Sequence, residues 1–136
     1  MRPTVYFTSC FLHARQTGEI LRDALPLAPL AKIVQLCTLT PHYQGPRKWL
    51  GNWNGVRMLE SIAQEARLTG NDLRELETAA FVLHQPRLQQ LLATMTSQEE
   101  SLFNPISYSE GICLHANSVD SLIQGKGKVE WRLIRE

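Results

Sequence analysis

Two short runs rich in β-branched and aromatic residues flank a helix-periodic stretch near the start of the chain. That arrangement limits the fold more than any other feature. Thr4–Leu12 (TVYFTSCFL) reads as a strand apolar on both faces. His13–Leu25 sets Thr17, Ile20, Leu21 and Ala24 at the i, i+3, i+4, i+7 spacing of a helix stripe. Pro26 and Pro29 end that helix, because neither can continue its hydrogen-bond ladder. Lys32–Leu39 (KIVQLCTL) is a second strand, again apolar on both sides. Strand, helix and strand within the 36 residues Thr4–Leu39 is the length of a βαβ unit, whose two strands run parallel.

The next segment, Thr40–Gly55 (TPHYQGPRKWLGNWNG), breaks every periodic pattern. It holds two prolines, three glycines and two tryptophans with basic residues between them, and reads as an aromatic loop. Helical patterns follow. Val56–Leu68 carries Val56, Leu59, Ala63 and Ala66 on one stripe and closes at Thr69-Gly70. Asp72 and Glu75 have capping-box spacing ahead of Leu73, Leu76, Ala80 and Leu83, which predicts a second helix with His84 near its end. Pro86 is placed to open a third, with Leu88, Leu91, Leu92 and Met95 inward. Ser97–Glu100 starts one more short turn before Asn104-Pro105. Strand character returns around Gly111–Leu114 and, after a turn at Gly125-Lys126-Gly127, in the alternating Val129–Ile134.

The fold class expected is therefore α/β, in two or three layers. A small, mostly parallel sheet opened by a βαβ unit is followed by a central helical segment and one or two C-terminal strands. Residues 1–136 are expected to form a single domain.

Composition narrows the function classes. With 43% hydrophobic and 20% charged residues the chain has the make-up of a globular protein, not of a disordered or low-complexity one. No run approaches the roughly 18 apolar residues of a membrane span, and MRPTVYFTSC does not read as a secretory signal. The expected location is the cytoplasm, without membrane association. Three widely spaced cysteines (Cys10, Cys37 and Cys113) make a poor disulfide framework, so reduced thiols buried as small apolar groups are expected.

A net charge of +1 hides an asymmetry. Residues 1–57 hold seven basic groups against Glu19 and Asp23. Residues 58–125 hold three arginines against nine acids. Such a chain presents a basic and an acidic face wherever the fold keeps the segments apart.

In a parallel sheet, ligands bind outside the carboxyl ends of the strands. That places Ser9 and His13 beside Thr40 and His42. The helix after the first strand begins at the same edge and offers free N–H groups to an anion. Arg47 and Lys48 arrive from the aromatic loop to hold phosphate, with Tyr43, Trp49 and Trp53 to stack on a base. The expectation is binding of a nucleotide or single-stranded nucleic acid at the edge formed by residues 9–13 and 40–53. The competing use of the two indoles is to fold back and cap the core. No glycine-rich phosphate loop is present, since SCFLHARQTG fits neither known pattern, and no cofactor is assigned.

Two further readings compete. His13 and His42 at one edge suit metal-free phosphodiester cleavage, one imidazole as base and the other as acid. The helices of residues 56–103, acidic overall, suit a protein-interaction adaptor that docks a basic partner. Cys10, His13, Cys37 and His42 have the chemistry of zinc ligands, but not the tight-turn spacing. Both cysteines fall inside the expected strands, and no metal is assigned.

Overall fold

The computed structural model describes residues 4–24, 31–49, 51, 53–84, 87–103, 111–115, 118–124 and 130–134. Pro26, Pro29, Pro86, Asn104-Pro105 and Gly125-Lys126-Gly127 lie outside these residues. So do the side chains of the two C-terminal strands, Glu130 excepted.

A three-stranded, all-parallel sheet forms the centre of the fold, in the order β2-β1-β3. Strand β1 is Val5–Thr8, β2 is Lys32–Gln35 and β3 is Ala80–Val82. In the register, Val5 faces Lys32 and Thr8 faces Gln35 on one side of β1. Tyr6 faces Ala80 and Thr8 faces Val82 on the other. Helix α1 (Leu12–Asp23) connects β1 to β2, and α2 (Gly55–Leu68) lies between β2 and β3. The two crossovers run in opposite directions from β2's viewpoint, so right-handed connections put their helices on opposite faces. Side chains agree. Val5 and Phe7 join Met58, Leu59 and Ile62 of α2 in the main core, while Tyr6, Thr8 and Ile33 lie under Gly18 of α1. The arrangement is three layers.

Both expected strands are shorter than their apolar runs, and the cause is local. After Thr8 the Ser9 hydroxyl accepts a hydrogen bond from the Phe11 N–H, which turns the chain into α1. After Gln35 the Glu65 carboxylate takes the N–H groups of Cys37 and Thr38, donors that a longer strand would have used in its ladder. Cys37–Leu39 becomes a 3₁₀ turn instead. Cys10 and Cys37 consequently lie beyond the strands and are exposed, not buried as expected.

The expected stripe of α1 is also corrected. Ala14 and Gly18 are the buried positions, whereas Thr17, Ile20, Leu21 and Ala24 face outward. The helix lies so near the sheet that a Cβ on Gly18 would stand 3.0 Å from Thr8 Cγ2. Close approach selects small residues and leaves no room for Ile or Leu. On α2, Leu59 and Ala66 are buried as expected and Ala63 packs against the core, but Val56 is exposed and Met58, Ser61 and Ile62 complete the inner face. The Asn54 side chain caps α2 by accepting from the Arg57 N–H.

The helix expected over residues 72–83 does not form. Asp72 caps only one 3₁₀ turn, Leu73–Glu75, and the chain then extends into β3. Pairing with β1, and the stacking of Phe81 on Phe7 at 5.2 Å between centroids, outweigh the helical propensity of the preceding residues. His84 therefore follows a strand, and its carbonyl accepts from the Leu88 N–H at the start of the next helix. Residues 56–103 thus hold a strand and two helices, α2 and α3 (Arg87–Thr96), where helices alone were expected. Leu91 and Leu92 of α3 are buried and Leu88 and Met95 half-buried. The C-terminal strands β4 (Gly111–His115) and β5 (Glu130–Ile134) pair antiparallel with each other in a separate two-stranded sheet. Between them α4 (Val119–Ile123) buries Val119 and Ile123 in the main core. Among the described residues no helix is long and apolar enough to cross a membrane.

Candidate functional site

Because all three strands of the main sheet are parallel, their carboxyl ends share one edge. β1 leaves into Ser9-Cys10-Phe11, β2 into Leu36-Cys37-Thr38, and β3 into Leu83-His84. Connections diverge to either side of β1, which makes this edge the topological switch point of the sheet. Hydrogen bonds from the backbone hold the exits together. The Leu36 N–H donates to Thr8 O, the Ser9 N–H to Val82 O, and the Cys10 N–H to the Thr40 hydroxyl.

The centre of the edge is a pair of thiols. Cys10 Sγ and Cys37 Sγ lie 3.9 Å apart and both residues are exposed. Beneath Cys37, Glu65 of α2 accepts the Cys37 N–H at 2.9 Å, and the Thr38 N–H and hydroxyl at 3.0 and 2.5 Å. With its proton given to Glu65, the Thr38 hydroxyl accepts from Ser61 at 2.6 Å. Partial shielding of the sulfur, the adjacent Cys10 and the Glu65 carboxylate push the Cys37 thiol up to about 11. Burial, followed by the negative charge of Glu65 and Cys37, also raises Tyr43 above its ordinary value.

The first turn of α1 stands next to the thiols. Its N-cap, Phe11, offers no capping side chain, and no acidic residue lies in the turn. His13, in that turn, is exposed.

From Thr40 the aromatic loop continues in a chain of ring contacts. Tyr43 meets Trp53 edge-on at 5.7 Å and Trp53 meets Trp49 at 5.9 Å. Lys48 Nζ lies 4.8 Å from the centroid of the Trp49 ring and the Arg57 guanidinium 5.5 Å. Gly45, at φ +89°, passes directly over Trp53, where a Cβ would collide with the indole. Arg87 of α3 holds the loop from beneath. It is only 2% exposed, donates to the carbonyls of Thr40, Pro41 and Tyr43, and lies 6.0 Å from the Trp53 centroid. Burial pulls its pKa down.

The edge thus gathers Ser9, His13, Thr40 and Tyr43. Ser9 is buried and Thr40 is bonded to Cys10, so these two shape the edge and present little to a ligand. Arg47, Lys48 and His42 are exposed, and Trp49 is half-buried. Trp53 packs against the core, enclosed by Gly45, Tyr43 and Trp49. Among the described residues no hydrogen bond joins His13 to His42, and no group of three or more His, Cys, Asp or Glu side chains is arranged around a metal position.

Glu65 and Arg87 were not anticipated as site residues, and Cys10 and Cys37 were weighed only as zinc ligands of unsuitable spacing, with Cys10 also as a nucleophile at the start of α1, and not as a pair of thiols in contact. For the thiols a signal existed. Each β1 residue pairs with the β2 residue 27 positions on, and Cys10 and Cys37 have that same separation, so they sit opposite one another just past the ladder. Glu65 and Arg87 gave none, because an acid and a base on amphipathic helices read as solvated surface. Compared with protein-family models, curated proteins and solved structures, the chain matches nothing in any of the three.

Proposed function

We propose that the carboxyl edge of the parallel sheet binds a phosphate-containing ligand, a nucleotide or a single-stranded nucleic acid. One observation carries the reading. At the switch point of the sheet, the first turn of α1 is left without a capping side chain or an acidic neighbour. Its backbone N–H groups and the positive end of the helix dipole favour an anion there. Arg47 and Lys48 add exposed positive charge on the loop anchored to this edge through Thr40, and Trp49 provides the aromatic surface for a base. Trp53 and Tyr43 serve in this reading as the support for Trp49, since Trp53 is packed on the core.

The test is fluorescence anisotropy with a labelled single-stranded oligonucleotide and with a labelled nucleoside triphosphate over a salt series. Phosphate contacts release counterions, so the logarithm of the oligonucleotide affinity should fall linearly with the logarithm of salt. The Arg47→Ala/Lys48→Ala double variant should reduce that slope by about 1.4, at ~0.7 per lost contact on a single strand. Affinity indifferent to salt, or unchanged in the double variant, removes the proposal.

A further inference from the structure

The two thiols call for an explanation that phosphate binding does not supply. Small exposed side chains meet at 3.9 Å across neighbouring strand exits, each on a backbone that is pinned in place. The Cys37 N–H is held by Glu65 and the Cys10 N–H by Thr40. A disulfide bond is about 2.05 Å long, so the sulfurs must approach by roughly 1.9 Å to bond. Cys10 and Cys37 have the same 27-residue separation as the β1–β2 pairs, the last of which joins Thr8 to Gln35. Both residues are exposed, which leaves the pair open to a small disulfide in solution.

We infer that Cys10 and Cys37 are a redox-active dithiol that exchanges with the disulfide of a low-molecular-weight thiol and closes to an intramolecular disulfide. The opening attack belongs to Cys10. The thiolate of Cys37 is held back by partial shielding, then by the neighbouring Cys10 and the Glu65 carboxylate, which suits Cys37 to the second, intramolecular step. Cys10 loses its proton to water, and its thiolate attacks one sulfur of the oxidant RSSR. The S–S bond of the oxidant breaks, and the first RS⁻ leaves with the electron pair and takes up a proton. Cys37 then gives up its proton and attacks the Cys10 sulfur of the mixed disulfide, displacing the second RS⁻, which is protonated in turn. The protein loses two protons and two electrons, and one disulfide becomes two thiols. This inference does not rest on the phosphate reading, and either can fail without the other.

Oxidised glutathione is the probe. Reduced, folded protein is incubated with a graded excess, quenched in acid, and read by thiol count, intact mass and peptide mapping. The wild-type chain should lose two thiols and two hydrogens in mass, link the Cys10 peptide to the Cys37 peptide, and reopen with dithiothreitol. Cys37→Ser should stop with one glutathionyl group on Cys10, and Cys10→Ser should take up glutathione at Cys37 much more slowly. Accumulation of glutathione on the wild-type chain without closure, or a link that involves Cys113, overturns the inference. So does Cys10→Ser reacting as fast as Cys37→Ser. The wild-type result decides whether the dithiol closes whatever the variants' stability, and both substitutions fall on exposed positions.

Discussion

The two helices that flank the parallel sheet solve the same packing problem in opposite ways. α2 meets its face of the sheet with bulk: Met58, Leu59 and Ile62 interlock with Val5, Phe7 and Leu39. α1 meets the other face with almost nothing, burying Ala14 and Gly18 while Ile20 and Leu21 stand in solvent. The difference separates two jobs. A thick interface takes apolar area out of water and supplies most of the stability. A thin one brings a helix against the backbone, and here it brings the uncapped turn of α1 to the exits of β1 and β3. Stability is concentrated on one face, and the candidate site lies where the other face begins.

The largest test of that division is Ile62→Ala. Ile62 is 1% exposed in the middle of the α2 interface, and truncation there should cost about 3–4 kcal/mol, the transfer loss plus the cavity left behind. Chemical denaturation of wild type and variant measures it. A loss below about 1 kcal/mol would mean that the α2 face collapses easily and is not the stiff side of the molecule.

Next comes Glu65→Ala, which leaves α2 in place and removes its polar link to the β2 exit. Three hydrogen bonds to one carboxylate are lost, and the N–H groups of Cys37 and Thr38 lose their partner. The expected cost is about 2–3 kcal/mol. The same substitution should change the alkaline limb of stability. The Cys37 thiol is raised in the fold from 9.0 to about 11, so the native state holds its proton longer than the unfolded chain does. That contribution is complete below about pH 9 and is lost as pH rises through about 11. Without Glu65 the upper limit of this window should move down, although shielding, the larger cause, remains. An unchanged alkaline limb would show that the carboxylate does not act on the thiol.

On the thin face, Gly18→Leu should cost about 2 kcal/mol, because the added side chain enters a gap already closed by Thr8 Cγ2 at 3.0 Å and Ile33 Cδ1 at 3.6 Å. Gly18→Ala is the sharper control. Its helix-propensity gain of up to about 1 kcal/mol works against a single tight contact, and the two should nearly cancel. If Leu is accepted as readily as Ala, α1 is free to lift from the sheet, and the placement of its first turn is not fixed by packing.

The contrast between the faces also explains what could be read in the sequence. Periodicity reports where apolar residues recur, so it located α1, α2 and the two strands of the βαβ unit. It does not report the distance between layers, and on α1 that distance inverted the stripe: the glycine faces in and the isoleucine faces out. β3 was hidden for a related reason. Leu73, Leu76, Ala80 and Leu83 fit a helical spacing, and only the empty edge of β1, with Phe7 waiting for Phe81, makes Ala80–Val82 extended. At the site, the parallel edge and Thr40 followed from chain order alone. Arg87 did not. A guanidinium that is buried to hold three backbone carbonyls looks, in sequence, like any other arginine at the start of a helix.

The smallest expected effect probes the outer side of the thin layer. Ile20 is 69% exposed on α1, and by pattern alone it belonged to the core. Ile20→Ser removes a large apolar side chain from a place where it touches mainly water, so unfolding stability should change by no more than about 0.5 kcal/mol. The comparison between the helices depends on this near-silence, because a hydrophobic residue that contributes to the core cannot be replaced by a hydroxyl so cheaply. A loss of 1.5 kcal/mol or more, on the order of a buried isoleucine's transfer energy, would place Ile20 under cover. α1 would then be packed on both sides, and its first turn would be held by more than the small residues beneath it.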